Sequence, residues 1–155
     1  LNVGFDELLL KDARVVLGKV NPNFIDIEKL HTKELITRSE LQEAKQKSPF
    51  ACEFEKLNRD RLKLLKKASS RFLETKKLDE FYKAHKQTER FCEFMALKEA
   101  NGGKEWTQWT TTVPSKDSLH AWKFIQYTAI TQWLEIKEYA NKRGIYTNII
   151  ITFPV

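Results

Sequence analysis

The feature that most restricts the fold is a long amphipathic helix near the C-terminus that leads into a β-branched segment. Ser115 is placed to cap the start of this helix. Apolar residues then recur at steps of three and four, at Leu119, Trp122, Ile125, Ala129, Trp133, Ile136 and Ala140. Lys142-Arg143-Gly144 supplies the cations and the glycine that are typical of a helix end. The following "IYTNIIITF", residues 145–153, predicts a buried parallel strand, so we expect a piece of a larger β/α protein.

The sequence upstream of this helix predicts further helices. A short helix is expected over residues 6–13, and the apolar triplet at residues 15–17 is a possible short strand. "FIDIEKLHTKELITRSELQEAKQ" predicts two short helices, since Thr37 can cap the second and Glu40, three residues later, completes a capping box. The fold class predicted from these patterns is mostly α, a helical subdomain with one or two β-strands.

Two longer helices are predicted in the middle of the chain. The first follows Ser48-Pro49 and has an apolar stripe at Phe54, Leu57, Leu64, Leu65, Ala68 and Phe72. The second has one apolar face at Leu78, Phe81, Ala84, Thr88, Phe91 and Met95. Asn101-Gly102-Gly103 is expected to end this second helix, because glycine adopts the left-handed conformation that follows a helix C-terminus.

Charge and composition narrow the classes of function. The net charge of +6 raises the possibility of a nucleic-acid-binding domain, but the basic residues of segment 55–77 alternate with apolar residues at helical spacing, as on a solvated helix face. No segment is apolar over the length of a membrane span, and the acidic N-terminus differs from a signal peptide. Cys52 and Cys92 lack metal-ligand spacing and are expected to be buried, reduced thiols. We therefore expect a cytoplasmic protein without a metal or a cofactor.

"ALKEANGGKEWTQW" and, downstream, "FIQYTAITQWLEIKEYANKRGI" carry several motifs in a fixed order. Together they resemble the 4-alpha-glucanotransferase family, the amylomaltases or disproportionating enzymes. "ALKEANGGKEWTQW", residues 96–109, is similar to that family's ALKE helix, glycine pair and W-x-x-W-P segment. "FIQYTAITQWLEIKEYANKRGI", residues 124–145, is similar to its F-x-Q-Y-x-F-x-x-Q-W helix and K-x-Y-A-N-x-x-G-I turn. "NPNFIDIEKLHTKELITRSEL" and "CEFEKLNRDRLKLLKKAS" extend the resemblance upstream, the second with Phe54 where the family usually has tyrosine.

The resemblance implies a division of the chain. Residues 1–20 would be an N-terminal segment with a possible short strand, residues 21–114 a helical insertion subdomain, and residues 115–155 a barrel helix with its following strand. The chain would then be a partial (β/α) barrel fragment of an enzyme acting on α-1,4-glucans. The family's catalytic carboxylates lie on later barrel strands, so no catalytic residue is assigned in this chain. The acids here are expected to form surface ion pairs with lysine and arginine.

Three aromatic residues are candidates for contact with an α-glucan, because sugar C–H faces stack on rings. Trp106 and Trp109 could form such a platform, although their spacing also suits packing in a core, which is the interpretation favoured here. Phe54 occupies the position of the family's aromatic residue, but it also belongs to an apolar stripe. On this resemblance the two tryptophans anchor the segment that connects the helical subdomain to the barrel.

Two other functions are alternatives to a glucanotransferase fragment. One is a stand-alone helical module that binds carbohydrate or serves as a scaffold. The other is a basic helical domain that binds nucleic acid or an acidic protein. The isoleucines at residues 149–151 would leave an open apolar strand edge, so self-association of the isolated chain is also expected.

Overall fold

The computed structural model describes residues 20–48 and 50–145. Over these residues the chain forms six α-helices and two short 3₁₀ turns, at Pro22–Phe24 and Trp106–Gln108, and no β-strand. The helices are α1 Ile27–Thr32, α2 Arg38–Ala44, α3 Phe54–Arg71, α4 Thr75–Ala84, α5 Lys86–Ala100 and α6 Lys116–Asn141. The mostly helical prediction is therefore confirmed. The expected helix at 6–13, the possible strand at 15–17 and nearly all of the predicted strand at 145–153 lie outside the described residues.

Local capping signals place several helix ends as predicted. The Thr37 hydroxyl accepts a hydrogen bond from the Glu40 amide, and the Glu40 carboxylate accepts one from the Thr37 amide, which completes the capping box of α2. The Ser115 hydroxyl caps α6 by accepting from the Ser118 amide. Gly103 follows α5 with a φ of 76°, and its amide donates to Lys98 O at 2.8 Å. These ends were predictable because each depends on residues a few positions apart.

The single helix predicted from Leu78 to Met95 is wrong, because the chain breaks at His85 into α4 and α5. His85 leaves the helical conformation with φ −118° and ψ 54°. Its imidazole stacks on the Phe81 ring at 4.0 Å, and Nδ1 donates to Phe81 O at 2.7 Å. The imidazole thus folds back over the last turn of α4 and is buried there.

Helix α6 passes through the centre of the structure, where α3, α4 and α5 pack against it. Small buried side chains, including Ala68, Cys92 and Ala96, allow the helices to approach closely. One continuous core results, with its most deeply buried large side chains at Leu30, Ile36, Leu65, Tyr82, Phe124 and Ile125.

The apolar stripe predicted for α6 is buried only in part. Trp122, Ile125 and Ala129 are buried as expected, whereas Trp133 is half-buried and Ile136 is 53% exposed. Helices α4 and α5 contact α6 through residues up to Tyr127. Beyond that point Gln132 bonds to Asp26, and Glu135 pairs with Lys29 of α1. The last third of α6 is therefore less covered than the stripe predicts.

Candidate functional site

Phe54 is the first residue of α3, and its side chain is 65% exposed. The interpretation of Phe54 as part of a buried stripe is therefore wrong. The apolar side chains of α3 are fully buried only from Leu64 onward, where the helix packs against the core. Periodicity along α3 continues to its N-terminus, but no helix covers that end of the stripe in the described part of the chain. Phe54 consequently presents an aromatic ring to solvent.

A 3₁₀ turn at Pro22–Phe24 lies beside this end of α3. The Asn23 side-chain amide donates to Asn58 Oδ1 at 3.1 Å. Asn58 lies one helical turn beyond Phe54 and therefore on the same side of α3. Phe24, next to Asn23, is 81% exposed. The turn and the start of α3 are thus joined by two amide groups, and each carries one solvent-exposed ring. We call Asn23, Phe24, Phe54 and Asn58 the Phe24–Phe54 face.

Two buried glutamines of α6 hold the segment that carries this turn. Gln126 accepts a hydrogen bond from Val20 N through Oε1 and donates to Val20 O through Nε2, both at 3.0 Å. Gln132 does the same with Asp26, accepting from its N–H at 2.8 Å and donating to its C=O at 3.1 Å. Each side-chain amide therefore satisfies both backbone groups of one residue, as a neighbouring β-strand would. Sequence reasoning gave these glutamines no role.

Trp106 and Trp109 lie in the connection between α5 and α6. Trp106 begins the second 3₁₀ turn and is 73% exposed, so the interpretation of this indole as core is wrong. Trp109 is half-buried, with its ring centroid 5.3 Å from that of Phe94. Its indole Nε1 donates to Lys104 O at 3.0 Å. Of the two tryptophans, Trp109 is therefore the one that packs the connection against α5.

Asn101 is the residue that ties this connection to α5. Its side chain is largely buried, and Oδ1 accepts hydrogen bonds from the amides of Thr110 and Thr111, each at 2.9 Å. Its Nδ2 donates to Leu97 O and Thr111 O, also at 2.9 Å. The asparagine was predicted only as part of a helix stop. Its four hydrogen bonds show that it performs the anchoring that the sequence assigned to the tryptophans.

The structure does not bring the three predicted glucan-contacting residues together. Glu99, near the end of α5, forms an ion pair with Lys66 of α3. Lys66 lies twelve positions after Phe54, which corresponds to about 18 Å along the helix axis. Trp109 packs on Phe94 of α5, and no ring contact among the described residues joins Phe54 to Trp106 or Trp109. The two aromatic groups are separate candidate sites.

The acidic residues near the core are held in ion pairs, as predicted. Glu89 lies between Lys86 and Lys123 at 3.1 and 2.6 Å, and hydrogen bonding from Lys123 lowers its pKa. Glu99 accepts from the Ser118 hydroxyl at 2.8 Å and from Trp122 Nε1 at 3.3 Å, in addition to its ion pair with Lys66. The charge of each carboxylate is balanced by lysine, and its oxygens already accept hydrogen bonds from the protein. These groups therefore make structural contacts and are not free to attack a sugar.

The other potentially reactive side chains also have structural surroundings. The ring nitrogens of His31 and His120 contact the backbone carbonyls of Ile36 and Ser69 at 3.0 and 3.2 Å. Burial raises the pKa of the Cys92 thiol to about 11, whereas Cys52 is exposed, contrary to the prediction. Within residues 20–48 and 50–145 no group of three or more His, Cys, Asp or Glu side chains is arranged to hold a metal ion. None of the helices over these residues has the length and apolarity needed to span a bilayer.

Comparison with known proteins identifies the family. The sequence profile of the 4-alpha-glucanotransferases matches residues 17–155. The chain is 28% identical over 158 aligned positions to the 4-alpha-glucanotransferase of Clostridium butyricum, covering 87% of this chain and 31% of that protein. It is 30% identical over 144 positions to the Streptococcus pneumoniae enzyme of the same name, covering 81% and 28%. The chain thus spans less than a third of the length of these relatives. Because the family profile covers nearly all of it, the chain belongs to the 4-alpha-glucanotransferase family.

Proposed function

We propose that this chain is the helical part of an enzyme that transfers segments of α-1,4-glucan, and that it contributes to glucan binding rather than to bond cleavage. Membership of the family supports the substrate class. The division proposed from the sequence accompanies this function, with residues 21–114 as a helical insertion and residues 115–155 as a barrel helix and strand. A cytoplasmic location is part of the same proposal.

The acidic side chains support a binding role over a catalytic one. Retaining transfer of a glucan needs a nucleophilic carboxylate and an acid about 5 Å apart, on either side of the sugar bond. In the described residues Glu89 and Glu99 are occupied by lysines, and Asp60 is paired with Arg59 at 2.8 Å. A hydrogen bond from Arg59 lowers the pKa of Asp60, so this carboxyl is poorly suited to act as the acid.

The exposure of Phe54 is the observation that supports the proposed binding site most directly. A phenylalanine at 65% exposure offers one or both ring faces to a ligand. Sugars stack their C–H faces on aromatic rings, while their hydroxyl groups bond to amides such as that of Asn58. Trp106 is a second candidate platform on the same reasoning, since it is also largely exposed. Trp109 is a weaker candidate, because Phe94 covers part of its ring and Lys104 O already accepts from its N–H.

Binding of maltoheptaose to the 155-residue chain tests this proposal. The affinity is measured by isothermal titration calorimetry for the unchanged chain and for Phe54→Ala, Trp106→Ala and Trp109→Ala. Leu73→Ala is the matched control, because Leu73 is an apolar residue between α3 and α4 that is even more exposed than Phe54. We expect Phe54→Ala to weaken binding about tenfold, which corresponds to about 1.4 kcal/mol. Equal affinity of Phe54→Ala and Leu73→Ala would exclude Phe54 from the site, and no binding by the unchanged chain would contradict the glucan-binding role.

Self-association of the isolated chain through residues 149–151 accompanies this proposal. A charged side chain in place of an uncovered apolar one at an open strand edge disfavours pairing between copies. Ile150→Lys should therefore increase the concentration at which the chain stays monomeric in light scattering. A chain that is already monodisperse and monomeric at micromolar concentration would contradict this expectation.

A further inference from the structure

The segment between Val20 and Asp26 is held at both ends by glutamines of α6 and is longer than the distance between its two anchors. Its two anchors, Gln126 and Gln132, are six residues apart on α6, a rise of about 9 Å. Six residues of extended chain would reach about 20 Å, so the segment cannot run straight between the anchors. The excess length forms the 3₁₀ turn at Pro22–Phe24.

The turn itself is firmly bonded. Phe24 N donates to Asn21 O at 3.0 Å, and Ile25 N donates to Pro22 O at 3.2 Å. The Asn21 side chain accepts from Asn23 N at 2.9 Å, and Ile25 is buried in the core directly after the turn. The Phe24 backbone is therefore fixed by hydrogen bonds on both sides. The protein nevertheless leaves the Phe24 ring 81% exposed, although exposure of a ring on an ordered turn contributes nothing to folding.

We propose that Phe24 is a second ring of the α-glucan site beside Phe54, and that Gln126 and Gln132 are positioning residues that hold it there. This inference rests on the proposed function. The hydrogen bond between Asn23 and Asn58 joins the turn to α3 one helical turn beyond Phe54, and Arg61 donates to Ile25 O at 3.4 Å one turn further along. A glucan on the Phe24–Phe54 face would meet a ring on each element, with the amide groups of the two asparagines between them for its hydroxyls.

The buried glutamines suit a positioning role because their side-chain amides bond to the backbone of the segment. Gln126 is fully buried and Gln132 nearly so, which places both out of reach of a ligand on the surface. Each holds one residue by two hydrogen bonds, so the segment can neither slide along α6 nor rotate without breaking a pair of bonds at once. The position of Phe24 relative to Phe54 is thereby set by α6.

A double-mutant cycle on glucan affinity tests the proposal. The 155-residue chain is titrated with maltoheptaose as the unchanged protein, Phe24→Ala, Gln132→Met and the combination. Phe24→Ala should weaken binding about five- to tenfold, as removal of one stacked ring does. Gln132→Met removes both hydrogen bonds to Asp26 with little change in length, and it should weaken binding to a similar degree. If the glutamine acts through the ring, the double variant should bind no more weakly than Gln132→Met alone.

Matched controls separate binding from folding. Leu73→Ala controls for loss of an exposed apolar side chain, and Gln87→Met for a glutamine exposed on α5. Both should bind as the unchanged chain does. Circular dichroism establishes that each variant is folded at the titration temperature. Phe24→Ala changes only a surface ring, so it tests the binding role even if Gln132→Met does not fold.

Each other outcome overturns a defined part of the proposal. If Phe54→Ala weakens binding and Phe24→Ala does not, the second ring is excluded while the proposed function stands. If the losses from Phe24→Ala and Gln132→Met add in the double variant, the positioning role is excluded. If Phe24→Ala changes the sedimentation coefficient but not the glucan affinity, the face packs against protein rather than sugar. If the unchanged chain does not bind maltoheptaose, the proposed function and this inference both fail.

Discussion

Removal of the Asn101 side chain should destabilise the protein more than any other substitution of a polar residue in the α5–α6 connection. Asn101→Ala deletes four hydrogen bonds, two accepted from Thr110 and Thr111 and two donated to Leu97 and Thr111. A net contribution of about 1 kcal/mol for each bond would sum to about 4 kcal/mol. Because Thr110 and Thr111 are exposed and regain water, we expect a loss of about 2–3 kcal/mol.

The loss is measured as the free energy of unfolding in urea, with amide hydrogen exchange as a local readout. Exchange at the Thr110 and Thr111 amides should become faster in Asn101→Ala, since the acceptor of both is removed. Asn101→Asp keeps that acceptor, so it should preserve slow exchange at both amides while losing the two donated bonds. Gln108→Ala, in the exposed 3₁₀ turn nearby, is the control and should change stability by less than about 0.5 kcal/mol. A loss below about 1 kcal/mol for Asn101→Ala, or unchanged exchange, would refute the anchoring role.

Three further results are expected. Trp122→Ala should lower the free energy of unfolding in urea by about 3–5 kcal/mol, and Trp133→Ala by about 1–2 kcal/mol, because only Trp122 is buried in the core. A larger loss for Trp133→Ala than for Trp122→Ala would contradict this packing. Hydrogen bonding from Arg71 lowers the pKa of Glu40 from 4.5 to about 2, so this carboxylate stabilises the fold above about pH 4.5 and loses that effect as the pH falls toward 2. Glu40→Gln should therefore lower the free energy of unfolding by about 1–2 kcal/mol at pH 7, a value reduced for solvent screening of the pair. It should also flatten the dependence of stability on pH between 4.5 and 2. An unchanged dependence would show that the Glu40–Arg71 pair does not contribute to acid unfolding. The 155-residue chain should release no glucose from maltotriose above a buffer control, and activity that persists through repurification would show that a carboxylate pair had been overlooked.

Helix ends were predictable from the sequence because their determinants are local. The capping box of Thr37 and Glu40 and the helix stop at Gly103 involve residues only a few positions apart. The break at His85 was not predictable in this way. The apolar period continues through that position, and the break is stabilised by the stacking of an imidazole on Phe81.

The candidate site was predictable only in part. Phe54 was identified from its place in a family motif, but its exposure depends on which elements cover the start of α3. Gln126 and Gln132 occupy positions in a helix that periodicity describes only as polar or apolar. Their partners lie 106 residues earlier in the chain, so their role as anchors became visible only when the segments were brought together. The same limit applies to Phe24, which lies on the anchored segment.

Mapping of the glucan on the protein surface by NMR shows whether the Phe24–Phe54 face is the binding site. Maltoheptaose is titrated into the ¹⁵N-labelled 155-residue chain, and the amide chemical shifts are followed. The largest changes should cluster on the Phe24–Phe54 face, at residues 23–25 and 54–58, and Phe54→Ala should need about tenfold more maltoheptaose to reach half of the full change. Changes confined to the Trp106–Trp109 connection, or no saturable change at any amide, would contradict this prediction.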